Sequence, residues 1–303
     1  MHEQPPEPAS LLTLRDGRRL AYLAAGPADG APIFHFHGHG SSRLEALALA
    51  DAAEKARVRV IAFDRPGIGR SDPSQGDRLL DWPADVEEAA DLMGIPRFAV
   101  QGMSAGGPYA LACAHALKDR VTACSLVSAV PTPGIALLSG PAVRRLAWWV
   151  ARTFPNYLRR RLKDFRPDNM TEAMLRARMQ RMGEWLGGED LRLMGDPAKL
   201  DLLARTMRES GRQDGQGNRS EIERLTRPWG FDIRKVKAPV FLFHGDEDRI
   251  MHVGPARRMA RVLKNCAATF YAGEGHFSVL VNRADALMEA LAEGARSSVH
   301  QRA

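Results

Sequence analysis

The sequence predicts an α/β protein with a mostly parallel central sheet flanked by helices and an inserted helical segment. Strand-length apolar runs alternate with helical stretches up to about residue 131 and again from about residue 234. Such alternation implies right-handed crossovers between parallel strands. Residues 132–233 follow a mainly helical pattern, which a polar loop interrupts. A chain of 303 residues with 45% hydrophobic residues is long enough to bury a core of this kind.

The first elements are two short strands within residues 10–25, joined by a turn at Asp16-Gly17, because Asp-Gly favours a hairpin. Pro32–His37 is a brief apolar run that predicts a strand leading into a glycine-bearing loop. A helix is expected from Ser42 to about Ala56. Val58–Phe63 is rich in β-branched and apolar residues, which is typical of a strand covered on both faces.

The remaining core elements follow the same alternation. Before the helical segment we expect a helix opened by Asp81 as its cap, a strand, a second helix and a further strand, at 81–93, Phe98–Gln101, Ser104–Leu117 and Ala123–Val127. After it we expect a strand, a helix, a strand and a helix at Pro239–Phe243, Pro255–Leu263, Thr269–Tyr271 and Ala284–Gly294. Within the helical segment a polar loop is expected at Gly211–Ser220.

The composition argues against several classes of protein. No stretch approaches the roughly 20 consecutive apolar residues that a membrane-spanning helix needs, and Met1–Pro8 lacks the apolar core of a secretory signal. Cys113, Cys124 and Cys266 are odd in number and widely spaced, which excludes a disulfide scaffold and a zinc site of paired cysteines. We therefore expect a cytoplasmic protein without a membrane span.

The net charge of +7 comes from one segment. Between Pro141 and Lys235, 21 basic residues accompany 13 acidic ones, and Arg159–Lys163 is the densest cluster. We favour a solvated helical face whose arginine stems cover apolar surface; steering of an anionic substrate and docking on an anionic surface or polymer stay open. No aromatic interleaving accompanies the charge, so no nucleic-acid partner is expected. The expected partner is a small-molecule substrate, and the chain is a monomer or a homodimer.

A candidate nucleophile lies in Gly102-Met103-Ser104-Ala105-Gly106, which matches G-x-S-x-G between a predicted strand and a predicted helix. The serine of this motif sits on a turn so sharp that the positions two residues away have no room for a Cβ, and both are glycine here. The turn places the Ser104 hydroxyl at a helix N-terminus, where backbone N–H groups favour a developing negative charge. A purely structural glycine-flanked turn is the alternative.

A serine nucleophile needs a base that is oriented by a third group. His276 lies in a glycine-flanked loop between the last strand and the last helix, on the same sheet edge as the serine, and is the predicted base. His115 lies inside the helix after Ser104 and His300 in a polar tail, so neither can return to the serine. His244 is expected to be buried and bonded to backbone, and His252 is placed to reach a pocket rim without a partner.

The acid is expected in the loop Gly245–Ile250, which follows a strand at the end where ligand and catalytic groups of parallel sheets gather. This loop offers Asp246, Glu247 and Asp248. We favour Asp248, with Asp246 as the alternative. The preceding core strand ends in Ser128–Pro131 without a carboxylate.

Taken in order, these motifs resemble the α/β-hydrolase fold superfamily, in particular its cap-bearing, cofactor-free, esterase-like serine hydrolases, from about Leu11 to Ala295. His37-Gly38-His39-Gly40 resembles the family's H-G-x-G loop, and the resemblance implies an oxyanion hole formed by the backbone N–H groups of His39 and Ala105. Asp64–Ser71 resembles a structural turn of the family. Gly245–Ile250 resembles G-x-x-D-x-[VI], which selects Asp248.

The resemblance implies a hydrolase with a Ser-His-Asp triad that acts on carboxylic esters or related small acyl compounds, without cofactor or metal. Hydrolysis of C–C, amide or peptide bonds and a non-catalytic receptor that keeps the triad are the alternatives. Residues 132–233 would form the cap, between the core parts 1–131 and 234–303. Many relatives have proline where this chain has His39, whose side chain we expect to face solvent, with substrate contact as the alternative. Large side chains of the cap are expected in a helical core rather than in the pocket wall: Trp148, Trp149, Trp185, Met182 and Met194.

Overall fold

The computed structural model describes residues 8–154, 173–174, 177–178, 186 and 188–300. Its eight strands form one sheet in the order β1-β2-β4-β3-β5-β6-β7-β8. Only the β1–β2 and β2–β4 pairs are antiparallel, and the other five are parallel. The predicted α/β class is therefore confirmed. The strands are β1 (Ser10–Thr13), β2 (Arg19–Ala25), β3 (Ala31–Phe36), β4 (Val58–Phe63), β5 (Phe98–Met103), β6 (Val121–Val127), β7 (Val240–Gly245) and β8 (Cys266–Tyr271).

The α-helices of the described part are α1 (Ala50–Ala56), α2 (Trp82–Leu92), α3 (Gly106–Ala116), α4 (Pro133–Leu138), α5 (Ala142–Thr153), α6 (Gly188–Gly195), α7 (Pro197–Ser210), α8 (Gln216–Thr226), α9 (Val253–Val262), α10 (Ser278–Asn282) and α11 (Ala284–His300). Short 3₁₀ segments lie at Arg43–Leu49, Leu79–Asp81, Lys118–Arg120 and Ile233–Lys235. None of the helices in these residues is long and apolar enough to cross a bilayer.

The core lies on both faces of the sheet, because successive strand residues point to opposite sides. On β3, Phe34 and Phe36 pack under α2 and α3, whereas Ile33 packs on the other face against α1 and α11. The central strands are buried along almost their whole length, as their near-continuous apolar sequence predicts. The sheet is thus a rigid middle layer whose parallel strands deliver their C-terminal loops to one edge.

Between β6 and β7 the described elements are helical, in five α-helices (α4–α8) and a 3₁₀ turn, and we call these elements the helical insertion. The exact division at residues 132 and 233 stays a prediction. The Arg159–Lys163 cluster, Trp185 and Met182 lie outside the described residues.

Three details of the predicted elements are wrong. The polar loop is shorter than expected, since α8 begins at Gln216; Asn218 is a poor helix former, but its side chain binds Gly40 N–H (3.3 Å) and Ser210 C=O (3.2 Å), and these tertiary contacts hold the helix. Asp81 occupies the N-cap position of α2 as predicted, but its carboxylate makes no capping bond to that helix and accepts from Arg78 N–H instead. The last helix continues to His300, beyond its predicted end at Gly294, so the polar tail that carries this residue is helical.

The insertion is joined to the core by buried ion pairs. Arg43 binds Asp64 (2.5 Å) within the core and Glu209 of α7 (2.7 Å), while Arg65 binds Glu221 of α8 (2.5 Å). These five side chains are at most 2% exposed. A buried carboxylate or guanidinium group is tolerated only when it is paired and hydrogen-bonded. Helices α7 and α8 are therefore tied to the loops after β3 and β4.

Candidate active site

Ser104 lies on a sharp turn between β5 and α3. Its φ of +50° is in the left-handed region, which a serine adopts only where the surrounding structure holds it. The backbone is fixed by Ser104 N–H donating to Val127 C=O (2.8 Å) and by Ser104 C=O accepting from Val130 N–H (2.9 Å). A Cβ on Gly102 would lie 2.3 Å from the Gly106 backbone, and one on Gly106 would lie 1.9 Å from the Phe36 carbonyl oxygen. The turn therefore requires both glycines.

His276 and Asp248 form a buried pair across two loops. The imidazole Nδ1 lies 2.8 Å from Asp248 Oδ2, and both residues are at most 3% exposed. The other Asp248 oxygen accepts from the N–H groups of Ile250 (2.8 Å) and Met251 (2.7 Å), which orients the carboxylate. Because Nδ1 faces a carboxylate, Nε2 is the ring nitrogen left to accept a proton. Asp246 is exposed, and its carboxylate accepts from Gly273 N–H instead.

The charges of His276 and Asp248 shift each other's pKa. Burial by itself lowers the pKa of His276, but the charge and hydrogen bond of Asp248, with smaller contributions from Asp190 and Glu45, raise it above its ordinary value of 6.5. Burial raises the pKa of Asp248, yet the His276 imidazole and the Met251 N–H outweigh this and bring it down to about 2. Asp248 is therefore ionised at any pH at which His276 titrates.

Ser104 and His276 line the same cavity, whose volume is about 1060 Å³. Within the described residues their side chains make no direct hydrogen bond to each other. The insertion contributes much of the apolar wall: Trp148, Leu193, Met194, Leu202, Leu203, Met207, Ile222 and Leu225. The expectation of a helical core is thus wrong for Met194 and only partly right for Trp148, which packs on the core and also lines the cavity. Trp149 neither packs on the core nor lines the cavity, and it is 49% exposed.

The His37–Gly40 loop and the start of α3 bring two backbone donors to this cavity. In the described part of the chain, the N–H groups of His39 and Ala105 donate to no protein acceptor, and both residues line the cavity. The loop is held from behind, because Arg65 binds the His37 carbonyl (2.5 Å) and Glu45 accepts from Gly38 N–H (3.1 Å). Free N–H groups on a rigid loop can stabilise an oxyanion.

The His39 side chain does not simply face solvent, so that expectation is wrong. Its Nδ1 lies 2.9 Å from Glu221 Oε2, and the side chain is 33% exposed, in the cavity wall. Glu221 is itself bound to Arg65. Burial raises the pKa of Glu221, but the charge of Arg65 and the bond to His39 outweigh it and bring the value to about 2. The insertion therefore anchors this loop through an ionised carboxylate.

Comparison with known proteins places the chain in a family. The model of the α/β hydrolase fold family matches residues 31–283. The chain belongs to the α/β hydrolase fold family.

This α/β hydrolase is similar to a non-heme chloroperoxidase of Streptomyces lividans (37% identity over 131 residues, 40% of this chain and 44% of that protein). It is also similar to a proline iminopeptidase of Xylella fastidiosa strain 9a5c (32% identity, 40% of this chain and 39% of that protein). A bifunctional esterase/perhydrolase of Acinetobacter calcoaceticus shares 33% identity over 43% of this chain and 48% of that protein. The chain matches less than half the length of each of these relatives.

Solved structures agree on the fold over nearly the whole chain. A thermophilic esterase from Thermogutta terrifontis superposes with a TM-score of 0.70 at 19% identity and covers 96% of this chain and 99% of that one. The enol-lactonase from Burkholderia xenovorans LB400 superposes with a TM-score of 0.66 at 19% identity, covering 95% of this chain and 100% of that one. At these identities the likeness extends to the fold alone.

Three other downstream histidines of this α/β hydrolase, His115, His244 and His252, have structural contacts. His115 stacks on Phe231, and His244 Nε2 lies 2.7 Å from the Met251 carbonyl, the backbone bond that its sequence position predicts. His252 does not reach the cavity wall, because its Nδ1 accepts from Gly254 N–H at the start of α9. Among the described residues, no group of three or more His, Cys, Asp or Glu side chains is placed to hold a metal ion.

Sequence reasoning missed three carboxylates around the site. Glu221 binds the His39 side chain, Glu45 binds the Gly38 N–H and the buried His35 imidazole (2.9 Å), and Asp190 binds the backbone of the His276 loop. Two of them come from the insertion, far along the chain from their partners, and no local motif marks them. Only the arginine at position 65, beside a glycine-rich turn, hinted that a buried acid was needed.

Proposed function

We propose that this α/β hydrolase is a serine hydrolase that cleaves carboxylic esters or related small acyl compounds through an acyl-enzyme. The observation that carries the proposal is that Ser104, on its strained turn, lines the same cavity as His276, whose imidazole is bound to Asp248. A nucleophile, a base and an orienting acid in this order along the chain are the parts that acyl transfer requires.

In the proposed mechanism, His276 Nε2 takes the proton of the Ser104 hydroxyl as its oxygen attacks the substrate carbonyl. Asp248 holds the imidazole tautomer and stabilises the imidazolium that forms. The hydrogen bond between a nucleophile such as Ser104 and its base is often long or poorly aligned in a free enzyme, and it tightens when substrate binds. Because Asp248 raises the pKa of His276 above its ordinary value, the imidazole is a stronger base toward the Ser104 hydroxyl.

The oxyanion of the tetrahedral intermediate would accept from the N–H groups of His39 and Ala105, each contributing on the order of 10²–10³ to the rate. His276 then protonates the departing alcohol, and its imidazole afterwards activates water to release the acid from Ser104. Trp148, Leu203 and their apolar neighbours would hold the acyl chain. We further propose that the insertion, residues 132–233, is the cap over this pocket.

Cleavage of C–C, amide or peptide bonds is the alternative within the same machinery, and the partial match to a proline iminopeptidase gives the peptide alternative specific support. Aryl esters, aryl amides and diketone substrates, turned over side by side, separate these activities. A receptor that keeps the triad would bind a ligand tightly and never turn it over. The cytoplasmic location and the choice between monomer and homodimer stay predictions.

A fluorophosphonate probe tests the proposal, because it phosphonylates an activated serine. We expect stoichiometric labelling of the natural protein and none of Ser104→Ala. Ser139→Ala is the matched control, since Ser139 lies outside the cavity and its hydroxyl has no hydrogen-bond partner among the described residues. Full labelling of Ser104→Ala, or none of the natural protein, would refute the proposal.

A further inference from the structure

A carboxylate from the insertion grips the backbone of the loop that carries His276. Asp190 lies on α6, and its side chain is fully buried. Its two oxygens accept from three successive backbone N–H groups, those of His276 (2.6 Å), Phe277 (2.9 Å) and Ser278 (2.8 Å). Hydrogen bonds to an ionised acceptor are stronger and more directional than those between neutral groups.

We propose that Asp190 is a positioning residue for His276, through which the insertion sets the place of the catalytic base. This inference rests on the proposed function. Asp248 fixes the imidazole at Nδ1, whereas Asp190 fixes the backbone from which the imidazole projects. The base is therefore held at two points, one in the core and one in the insertion.

The fit between Asp190 and the loop is close. A Cβ on Gly275 would lie 2.4 Å from the Asp190 carboxylate, so the peptide before His276 packs directly against it. Ser278 Oγ accepts from Gly275 N–H (2.8 Å), which closes the turn on itself. Four consecutive N–H groups thus have buried acceptors, and three of them depend on one side chain.

The arrangement does not resemble a simple stabilising ion pair. No basic side chain among the described residues makes a salt bridge to Asp190, so the three backbone N–H bonds and the nearby His276 imidazole offset the burial of its charge. Burial raises the pKa of Asp190, and the three N–H bonds only partly offset this. We therefore assign to the buried Asp190 carboxylate the role of fixing the geometry of the loop that carries His276.

Asp190→Asn tests the proposal, because the amide group turns one acceptor into a donor that faces backbone N–H groups. A displacement of about 1 Å of a catalytic group can lower the rate by about 10²-fold. We expect kcat to fall by about 10- to 100-fold on a chromogenic ester, with KM little changed. Glu189→Gln is the matched control, since the neighbouring Glu189 is partly exposed and, among the described residues, forms an ion pair only with Arg192; it should behave as the natural protein.

The pH profile separates positioning from mere stability. The charged and titratable groups that face His276 are Asp248, Asp190, Glu45 and His244. Removal of the Asp190 charge lowers the pKa of His276, so the acid limb of kcat/KM should move to lower pH in Asp190→Asn. A folded variant with natural kcat and an unmoved acid limb would overturn the proposal.

Gly275→Ala disturbs the same contact from the other side and keeps the carboxylate. It should reproduce the loss of kcat, which keeps the test available if Asp190→Asn fails to fold by circular dichroism. Amide hydrogen exchange at residues 276–278 should rise in both variants. If the natural protein does not react with the fluorophosphonate, the proposed function fails; if it reacts and both folded variants react equally fast, only the positioning role fails.

Discussion

Glu221→Gln should destabilise the fold far more than the loss of a surface ion pair. The substitution keeps the shape of the side chain but removes the charge that faces Arg65, and both side chains are 1% exposed. Arg65 would keep its bonds to the carbonyls of His37 and Gly38, yet its buried charge would have no counter-ion among the described residues. Breaking a buried pair in this way costs about 3–5 kcal/mol.

The matched control is Asp77→Asn. Asp77 of the core also forms an ion pair with the insertion, at 3.2 Å from Arg227, but the side chains of Asp77 and Arg227 are 76% and 52% exposed. Exposed pairs contribute about 0–1 kcal/mol. We therefore expect the free energy of unfolding, measured in urea by circular dichroism, to be several kcal/mol lower for Glu221→Gln than for the natural protein. For Asp77→Asn it should lie within about 1 kcal/mol of the natural value. Equal losses in the two variants would refute the argument from burial.

The pH dependence of this difference gives a second check. The pKa of Glu221 is about 2 in the folded protein against an ordinary value of 4.5. A carboxyl group whose pKa is lowered on folding contributes stability above its unfolded pKa and loses it as pH falls through the folded one. The difference in free energy of unfolding between the natural protein and Glu221→Gln should therefore have its largest value at pH 6 and decrease as the pH falls from 4.5 toward 2. A difference that does not change over this range would contradict the assignment.

Three further predictions concern catalysis. Asp248→Asn should lower kcat on an aryl ester by about 10⁴ without unfolding the protein, whereas Asp246→Asn should keep natural activity; a reversed pattern would make Asp246 the acid. The acid limb of kcat/KM should lie above pH 6.5, because the pKa of His276 is raised and only the neutral imidazole is active, and a limb below that value would contradict the geometry around Asp248. In a series of p-nitrophenyl acyl esters, kcat/KM should rise roughly fourfold per methylene, because each buried methylene contributes about 0.8 kcal/mol. The rise should stop when the acyl chain fills the cavity. If kcat/KM does not change with chain length, the apolar wall does not hold the acyl group.

The fold and the turn at Ser104 can be predicted from the sequence because their requirements are local. A nearly continuous apolar strand, a glycine on each side of the serine and a following helix stand within a few residues of one another. The His276 loop is similar, since its glycines and its place after the last strand are visible in the sequence. The choice between Asp248 and Asp246 was less certain, because the two acids stand two positions apart in one loop, and the resemblance strengthened the preference for Asp248.

The contribution of the insertion could not be predicted, because it depends on contacts between distant parts of the chain. Glu221 and Arg65 are 156 residues apart, and Asp190 and His276 are 86 apart. In a segment rich in arginine, an acid is most simply interpreted as the partner of a neighbouring base. Apolar side chains posed the same difficulty: helical periodicity gives Met194 an inward face, but whether that face meets another helix or an open cavity depends on how the helices are arranged.

The pairing of Arg65 with Glu221 limits how this α/β hydrolase fold protein can be recombined with its relatives. A chimaera that took residues 132–233 from another family member would keep Arg65 and lose Glu221, its carboxylate partner in the described part of the chain. Arg43 would still have Asp64 after losing Glu209, whereas the guanidinium group of Arg65 would stay buried without a counter-ion among the described residues. A graft that folds must therefore bring an acid to the same helical position or be accompanied by a neutral residue at position 65.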